Sequence, residues 1–340
     1  EDRRSVSVGA WVRTGARDER PEQLGIAHFI EHMMFKGTER RDARAIAASL
    51  ESLGGHLDAF TTREYVCYSA RSLSEHLRES IDVLADILCR SRYDASEVER
   101  EKSVVREEID AYEDNPEEKV ADLLAEQLWG DHPLGRPILG HPETLAGFTP
   151  DGLRMDVASR YRADQLVVAA AGGLEHDVVA RLVEDAFDPP KGPPPVRGAG
   201  PLPFTPAVRH VERDVNQLYL SLGTRAVAYD DPRRWGLYVL ETLLGGGMSS
   251  RLFQSSREDA GLAYSVFSSL DFHRDAGALS VHLGVSPERG REALRLLREE
   301  LERLAADGPS DTEVASAKAQ LRGSVVMGQE STSNRMVHLA

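Results

Sequence analysis

Alternation of apolar and polar residues marks the chain as a mixture of strands and helices. The segment SVSVGAWV (5–12) alternates with the period of a strand, and HLDAFTTREYVCYSAR (56–71) predicts one long or two short strands. Between them lies QLGIAHFIEHMMFKGT (23–38), which predicts a helix that begins near Pro21 and ends at Gly37. Apolar residues occupy nearly every side of this helix, so we expect it to be buried.

Further elements are predicted along the rest of the first half. The run QLVVAAAGG (165–173) is typical of a buried strand. Apolar residues with helical spacing predict five more helices. They are DARAIAASLESLG (42–54), SLSEHLRESIDVLADILCRS (72–91), EVEREKSVVREEIDAYEDN (97–115), EEKVADLLAEQLWG (117–130) and HDVVARLVEDAF (176–187).

The chain of 340 residues is long enough for two domains. The segment 188–203, DPPKGPPPVRGAGPLP, reads as an interdomain linker between domains 1–187 and 204–340. After it, a strand (216–227), an acidic turn with proline and an apolar helix (236–246) repeat the order seen at the start. We therefore predict an α+β fold of two similar domains related by internal duplication, each a mostly antiparallel sheet flanked by helices. Ordinary alternation of strands and helices is the competing explanation of this weak repeat.

Composition excludes several classes of function. The formal net charge is −15 without a basic patch, which argues against nucleic-acid binding. The chain has no run of 18 apolar residues, so the sequence predicts no transmembrane helix. Cys67 and Cys89 form neither a metal-type pair nor a disulfide scaffold. The first residues lack a hydrophobic signal core, so we expect a cytoplasmic protein, with residues missing before the first position and after Ala340.

The buried helix carries an unusual polar face. His28 and His32 are four residues apart and Glu31 is three after His28, so all three share one side. Two such imidazoles can hold one Zn²⁺, and H-x-x-E-H is a known zinc-peptidase motif. Alternatively, this face could pair with arginines elsewhere. A catalytic zinc also needs a third protein ligand, and Glu101 and Glu108 share one face of the helix at 97–115.

Several segments together resemble the pitrilysin/insulinase family of zinc peptidases, and within it the bacterial homologues of mitochondrial processing peptidase. They are HFIEH (28–32), LGGHLDAFTTREYVCY (53–68), SVVREEI (103–109), HPLGRPILG (132–140) and GGGMSSRLFQSSREDAGLAYSV (245–266). The family more often has Asn where this chain has Asp58, which leaves the role of that side chain open.

The resemblance implies a set of site residues. One zinc per chain would be held by His28, His32 and Glu108, and Glu31 would be the general base. Glu101 would orient the ligands. Other implied residues would contact substrate: Arg257 and Tyr264, and the substrate-binding strand at Ala59, Phe60 and Thr61.

These residues predict a zinc-dependent endopeptidase for peptides or unstructured segments bound as an extended strand. A non-catalytic scaffold subunit like the respiratory-complex core proteins is the alternative. We also expect a homodimer, or a heterodimer with a related subunit. In either, Arg257 and Tyr264 of one chain would complete the zinc site of the other.

Overall fold

The computed structural model describes residues 3–189 and 204–340. The first half contains, in order, β1 (Ser5–Val12), α1 (Ile26–Met33), α2 (Ala43–Glu51), β2 (His56–Thr61), β3 (Val66–Leu73), α3 (Leu77–Arg90), α4 (Ala95–Asp114), α5 (Pro116–Trp129), α6 (Pro142–Ala146), α7 (Pro150–Arg160), β4 (Leu166–Gly172) and α8 (His176–Ala186). The second half contains β5 (Leu218–Ala226), α9 (Arg234–Gly245), β6 (Ala263–Phe272), β7 (Gly277–Val285), α10 (Gly290–Asp307), α11 (Asp311–Gly328) and α12 (Thr332–Leu339). Most of the predicted linker, 190–203, lies outside the described residues.

The described residues form two compact units. The first consists of 3–111, 136–189 and 327–340, and the second of 112–135 and 204–326. Neither unit is one continuous stretch of chain, because α5 belongs to the second and α12 to the first.

The first unit is built on a four-stranded antiparallel sheet in the order β2-β3-β1-β4. Its main core lies under α1 and α3, where Phe29 and Ile30 pack with Ile81 and other fully buried side chains. The opposite face of the sheet is covered by α12, whose Met336 packs in a cluster with Trp11. Helices therefore cover both faces of the sheet, whereas the outer edge of β2 has no strand beside it among the described residues.

The second unit has a three-stranded antiparallel sheet in the order β5-β7-β6. Leu244 of α9 and Leu297 of α10 pack with Val281 and Leu283 of β7 in its core. Helix α5 packs on β5, and the missing side chain of Gly223 makes room there for Leu124 and Leu128.

The two units repeat one topology. A strand leads to a helix and then to a hairpin, and the strands lie in the order β2-β3-β1 in the first sheet and β6-β7-β5 in the second. Each half of the chain contributes one helix to the unit built mainly from the other half. These helices also correspond, since α5 packs on β5 and α12 packs on β1. The predicted α+β fold of two similar, duplicated domains is thus confirmed.

Helix α1 is shorter than its sequence pattern predicts. Residues Pro21–Gln23 form a separate 3-10 turn, and the α-helix begins at Ile26. Gly25 has φ of 88°, a left-handed conformation that interrupts the helix before its first turn. No helix among the described residues is both long and apolar enough to span a membrane.

Candidate metal centre

Helix α1 presents its polar face away from the core. Its apolar side chains Phe29 and Ile30 are fully buried and fix the rotation of the helix. His28 is buried, with 7% of its surface exposed, whereas Glu31 and His32 are half-buried. The two imidazole rings lie one turn apart, with 4.6 Å between their centroids. Both rings therefore face the same space.

Glu108 reaches that space from α4. One carboxylate oxygen of Glu108 is 3.6 Å from Nε2 of His28, and the other is 3.6 Å from Nε2 of His32. All the candidate ligand atoms lie within 4.8 Å of one another. Two ligands at about 2.1 Å from a tetrahedral zinc ion would lie roughly 3.4 Å apart, close to the two 3.6 Å distances from Glu108. Among the described residues it is the one group of three that could hold a metal.

The protonation of His28 suits a metal ligand. Burial, followed by the charge of His32, lowers its pKa to about 3, so the imidazole is neutral at pH 7. Metal binding requires the neutral form, and no proton has to be displaced from this ring. Nδ1 of His28 is buried without a hydrogen-bond partner among the described residues.

His32 is oriented by a buried carboxylate. Its Nδ1 lies 2.8 Å from Oε1 of Glu101, whose side chain is 2% exposed. The second oxygen of Glu101 accepts from the ammonium of Lys36 at 2.6 Å. A carboxylate is an acceptor only, so Nδ1 carries the proton and Nε2 keeps its lone pair toward Glu108.

The same contacts set the charges of this group. Burial raises the pKa of Glu101, but the bonds from His32 and Lys36 outweigh burial and hold it below its usual value. Burial lowers the pKa of His32, but the bond to Glu101 and the charges of Glu108, Glu101 and Glu31 together raise it. The negative charges that raise the pKa of His32 would equally favour a cation bound at its Nε2.

Glu31 stands beside the three ligand candidates without being one of them. One of its oxygens, Oε2, accepts a hydrogen bond from the hydroxyl of Thr61, the last residue of β2. Burial raises the pKa of Glu31, although the bond from Thr61 and the charge of His32 lower it in part. The carboxyl group is therefore shielded from water on one side and held at one oxygen.

Strand β2 is one of the two edge strands of the first sheet as the structure describes it. The amide of Thr62 donates to the carbonyl of Tyr65 at 2.8 Å, which makes these two residues a hydrogen-bonded pair in the turn that joins β2 to β3. Because such pairs alternate along an antiparallel ladder, the backbone groups of Ala59 and Thr61 point outward from β3. This edge can accept another extended strand.

The side chains of β2 alternate between two sides of the sheet. Thr61 points toward α1, where it meets Glu31, whereas Phe60 and Asp58 are exposed on the other side. Phe60 stacks edge-on against Tyr65, with 6.0 Å between the ring centroids. The carboxylate of Asp58 accepts from the amide of Ala59 at 3.0 Å, one of the outward-pointing donors of this edge.

Arg257 and Tyr264 lie in the second unit. Arg257 belongs to a π-helical turn, Phe253–Asp259, and its guanidinium lies over the ring of Phe253, 4.9 Å from the centroid. Tyr264 is the second residue of β6 and is 75% exposed. Both side chains are therefore at the surface of their unit, and Tyr264 is not the core residue that an aromatic side chain in a strand often is.

Two contacts of the centre were not predicted from the sequence. Lys36 lies three residues beyond the end of α1, so helical spacing does not place it beside His32, and its role depends on Glu101 from another helix. The bond between Thr61 and Glu31 joins residues 30 apart, and the sequence pattern contains no signal for it.

The sequence was compared with protein families and with known proteins. Residues 1–142 match the profile "Insulinase (Peptidase family M16)", and residues 147–321 match "Peptidase M16 inactive domain". An uncharacterised zinc protease of Mycobacterium tuberculosis is 43% identical over 340 residues, covering 98% of this chain and 78% of that protein. One of Bacillus subtilis is 41% identical over 333 residues, covering 98% of this chain and 81% of the relative.

The fold comparison agrees with these matches. A crystal structure from Pseudomonas fluorescens, described as a peptidase M16 inactive domain, superposes with a TM-score of 0.92. It covers 99% of this chain and 82% of the other at 24% identity, so that likeness concerns the fold. The matches along both halves and the bacterial zinc-protease relatives confirm the resemblance inferred from the motifs. The chain belongs to the insulinase family of peptidases, family M16.

Proposed function

We propose that this protein is a zinc-dependent endopeptidase that hydrolyses peptides or unstructured polypeptide segments. One zinc ion per chain would be held by His28, His32 and Glu108. The observation that carries the proposal is the convergence of these three side chains, whose ligand atoms lie within 4.8 Å of one another, next to a half-buried Glu31. When bound, zinc supplies Lewis-acid activation of water and of the peptide carbonyl.

Glu31 is the general base in this proposal. The hydroxyl of Thr61 occupies Oε2 of Glu31, so Oε1 is the atom that receives the proton of the attacking water. Burial raises the pKa of this carboxyl group, which makes it a stronger base than an exposed glutamate. The same proton can then pass from Oε1 to the nitrogen of the leaving amine.

Glu101 and Lys36 hold His32 in place for this chemistry. The carboxylate of Glu101 fixes the imidazole by its Nδ1 proton, and Lys36 fixes the carboxylate in turn. Neither side chain needs to touch the substrate. We assign both as positioning residues.

Substrate binds as an extra strand on β2 in this proposal. The outward backbone groups of Ala59 and Thr61 would pair with the peptide main chain, which would replace the exposed carboxylate of Asp58 at the amide of Ala59. Because Thr61 also bonds Glu31, a peptide paired at this edge would lie next to the base. Main-chain pairing favours unfolded segments over folded proteins and demands little of their sequence.

A non-catalytic scaffold subunit is the alternative function. Such a protein needs the fold and not the site, so nothing would maintain the polar face of α1. This chain instead has both histidines, Glu31, Glu101 and Glu108 assembled in one place. The complete set favours catalysis.

A pair of glutamine substitutions tests the proposed function. Glu31→Gln should retain zinc and lose roughly 10²–10⁴-fold of its peptide cleavage, the usual effect of a lost general base. Glu108→Gln should lose both zinc and cleavage. Glu107→Gln, which removes a charge from the adjacent exposed residue, is the matched control and should behave as the wild type. Metal content and digestion of a mixed peptide library are the two measurements.

The outcomes separate the roles. Zinc lost from the Glu31→Gln variant would make Glu31 a ligand. Zinc retained at normal affinity by Glu108→Gln would exclude Glu108 as the third ligand. A protein that cleaves fully after zinc removal would end the proposal.

We also propose a dimer in which Arg257 and Tyr264 of one chain act at the zinc site of the other. The exposure of Tyr264 supports this, since the side chain is accessible to a partner. The remaining support is the family resemblance.

A further inference from the structure

The carboxyl group of Glu19 caps the N-terminus of α1, the helix that carries His28 and His32. Glu19 lies in the loop between β1 and α1 and is 4% exposed. Its Oε2 accepts from the amide of Gly25 at 2.8 Å, and its Oε1 accepts from the amide of Ala27 at 2.9 Å. Helix N-termini leave such amides unpaired, and Gly25 has no side chain to cap them. Both carboxyl oxygens are thus used at the start of α1.

The surroundings hold this cap rigidly. Arg136, in the HPLGRPILG segment, donates to the backbone carbonyl of Glu19 at 2.7 Å. Thr144 donates to the carbonyl of Leu24 at 2.7 Å. A side chain on Gly25 would come within 2.4 Å of the carbonyl of Leu139, so the loop and this segment are in close contact. Residues 136–140, part of a motif that has no role in the proposed chemistry, therefore support the loop that carries Glu19.

A buried carboxyl group is a costly choice for a helix cap. Burial raises the pKa of Glu19 to about 8, despite the two amide bonds and the charge of Arg160. By contrast, α2 is capped by Asp42, an exposed residue that accepts from the amide of Ala45 at 2.7 Å. Capping alone can be achieved at the surface. The burial of Glu19 therefore needs another explanation, and His28, the residue directly after the capped amide of Ala27, provides one.

The capped amides directly precede a ligand candidate. Ala27 is the residue before His28, and its amide is fixed by Glu19. His28 lies within the first turn of α1, where a helix is otherwise free to fray. Its buried ring must point Nε2 at Glu108 without support from any partner at Nδ1 among the described residues. His32, one turn later, has Glu101 to orient it.

We propose that Glu19 is a positioning residue of the metal centre: by fixing the first turn of α1, it directs His28 toward Glu108 without touching metal or substrate. This rests on the proposed zinc site. It assigns to Glu19 the support for His28 that Glu101 provides for His32.

Zinc affinity tests the proposal, measured by competition with a chromogenic chelator. Glu19→Gln keeps the size of the side chain but has one acceptor oxygen, so one of the two amides would face an NH₂ donor. We expect this variant and Glu19→Ala to bind zinc roughly tenfold more weakly, the lower end for partners outside the ligand set. The Co²⁺-substituted forms should have altered visible spectra, which report the geometry of the ligands. Asp42→Asn and Asp42→Ala are the matched controls, since they remove a cap from α2, and should bind zinc within twofold of the wild type.

Amide hydrogen exchange of the wild-type protein, measured with and without zinc, tests the proposal even if the variants do not fold. Coupling between cap and metal is reciprocal, so zinc should slow exchange at the amides of Gly25 and Ala27. Normal zinc affinity and an unchanged Co²⁺ spectrum in Glu19→Gln would overturn the proposal, as would exchange at these two amides that is indifferent to zinc. A wild-type protein that binds no zinc would instead refute the proposed function.

Discussion

Glu101→Gln is the most informative single substitution in the centre. In the wild type, a carboxylate with 2% of its side chain exposed holds Nδ1 of His32 at 2.8 Å and Lys36 at 2.6 Å. Glutamine preserves the shape and can still accept from His32 with its carbonyl oxygen. Its NH₂ group then faces the ammonium of Lys36, so that two donors oppose each other. The substitution therefore removes the charge and one bond while keeping the volume.

The expected loss of zinc affinity comes from this geometry. Hydrogen bonds to charged groups contribute about 1.5–3 kcal/mol, and partners of ligating histidines typically contribute about ten- to a hundredfold in metal affinity. Because Glu101 is screened from water, we expect the upper part of that range. The side chain of Lys36 is 30% exposed and its ammonium can turn to solvent, so the fold should survive.

A second variant and a control sharpen this prediction. Adding Lys36→Met to Glu101→Gln removes the opposed donors and should restore folding stability without restoring zinc affinity. Glu99→Gln is the control, because Glu99 forms a similar pair with Lys102 at 2.8 Å on the same helix but is 70% exposed. Chelator competition gives the affinity and urea unfolding of the metal-free protein gives the stability. A Glu101→Gln variant that binds zinc within twofold of the wild type would refute the reasoning.

Three further predictions address the base, the cap and the partner. Thr61→Val should reduce kcat roughly ten- to a hundredfold at unchanged zinc affinity, because Glu31 loses a bond from a hydroxyl group, whereas Thr61→Ser should retain activity in the same peptide assay. For Glu19, the folded-state pKa of about 8 exceeds the unfolded value of 4.5, so the folded protein binds the proton more tightly. Its stability contribution is fully present below pH 4.5 and is lost as pH rises toward 8. Urea unfolding should show the wild type losing stability relative to Glu19→Gln over this window, by up to about 1.4 kcal/mol per pH unit, and a constant difference would contradict this. Finally, mixing Glu31→Gln with Tyr264→Phe chains should restore about a quarter of wild-type cleavage if Tyr264 acts in trans, because half of the dimers are mixed and each has one intact site. No recovery despite demonstrated subunit exchange would exclude that arrangement.

Helical spacing predicted the part of the centre that lies within α1. His28, Glu31 and His32 share a face because of the 3.6-residue period, and Glu101 and Glu108 share a face of α4 for the same reason. Spacing within one helix does not predict which face of another helix or strand packs against it. The bonds of Lys36 to Glu101 and of Thr61 to Glu31 arise from the packing of separate elements. Their residue types are common at such positions and carry no distinctive pattern.

The fold was predictable to a similar depth. The strand and helix periods and the repeated order in the two halves were sufficient to predict two antiparallel α+β units. The membership of α5 and α12 was not predictable, since an amphipathic helix pattern does not say which sheet it covers. The start of α1 at Ile26 was also missed, because it depends on Glu19 and the left-handed Gly25 rather than on the apolar pattern.

Helix α9 of the second unit can be compared with α1, because it holds the equivalent place in the repeated topology. Helix α9 carries Tyr238, Glu241 and Thr242 at the same spacing as His28, Glu31 and His32 in α1. Glu241 is half-buried with a pKa raised by burial, and the hydroxyl of Ser268 in β6 donates to it at 3.2 Å, much as Thr61 donates to Glu31. The glutamate–hydroxyl pair between helix and hairpin thus occurs in a unit without the two imidazoles. Such a pair can be accommodated by packing alone, whereas two histidines and a carboxylate that converge are the ligand types of a zinc site. The difference between the units therefore points to His28, His32 and Glu108, rather than Glu31, as the side chains that distinguish the unit with the proposed zinc site.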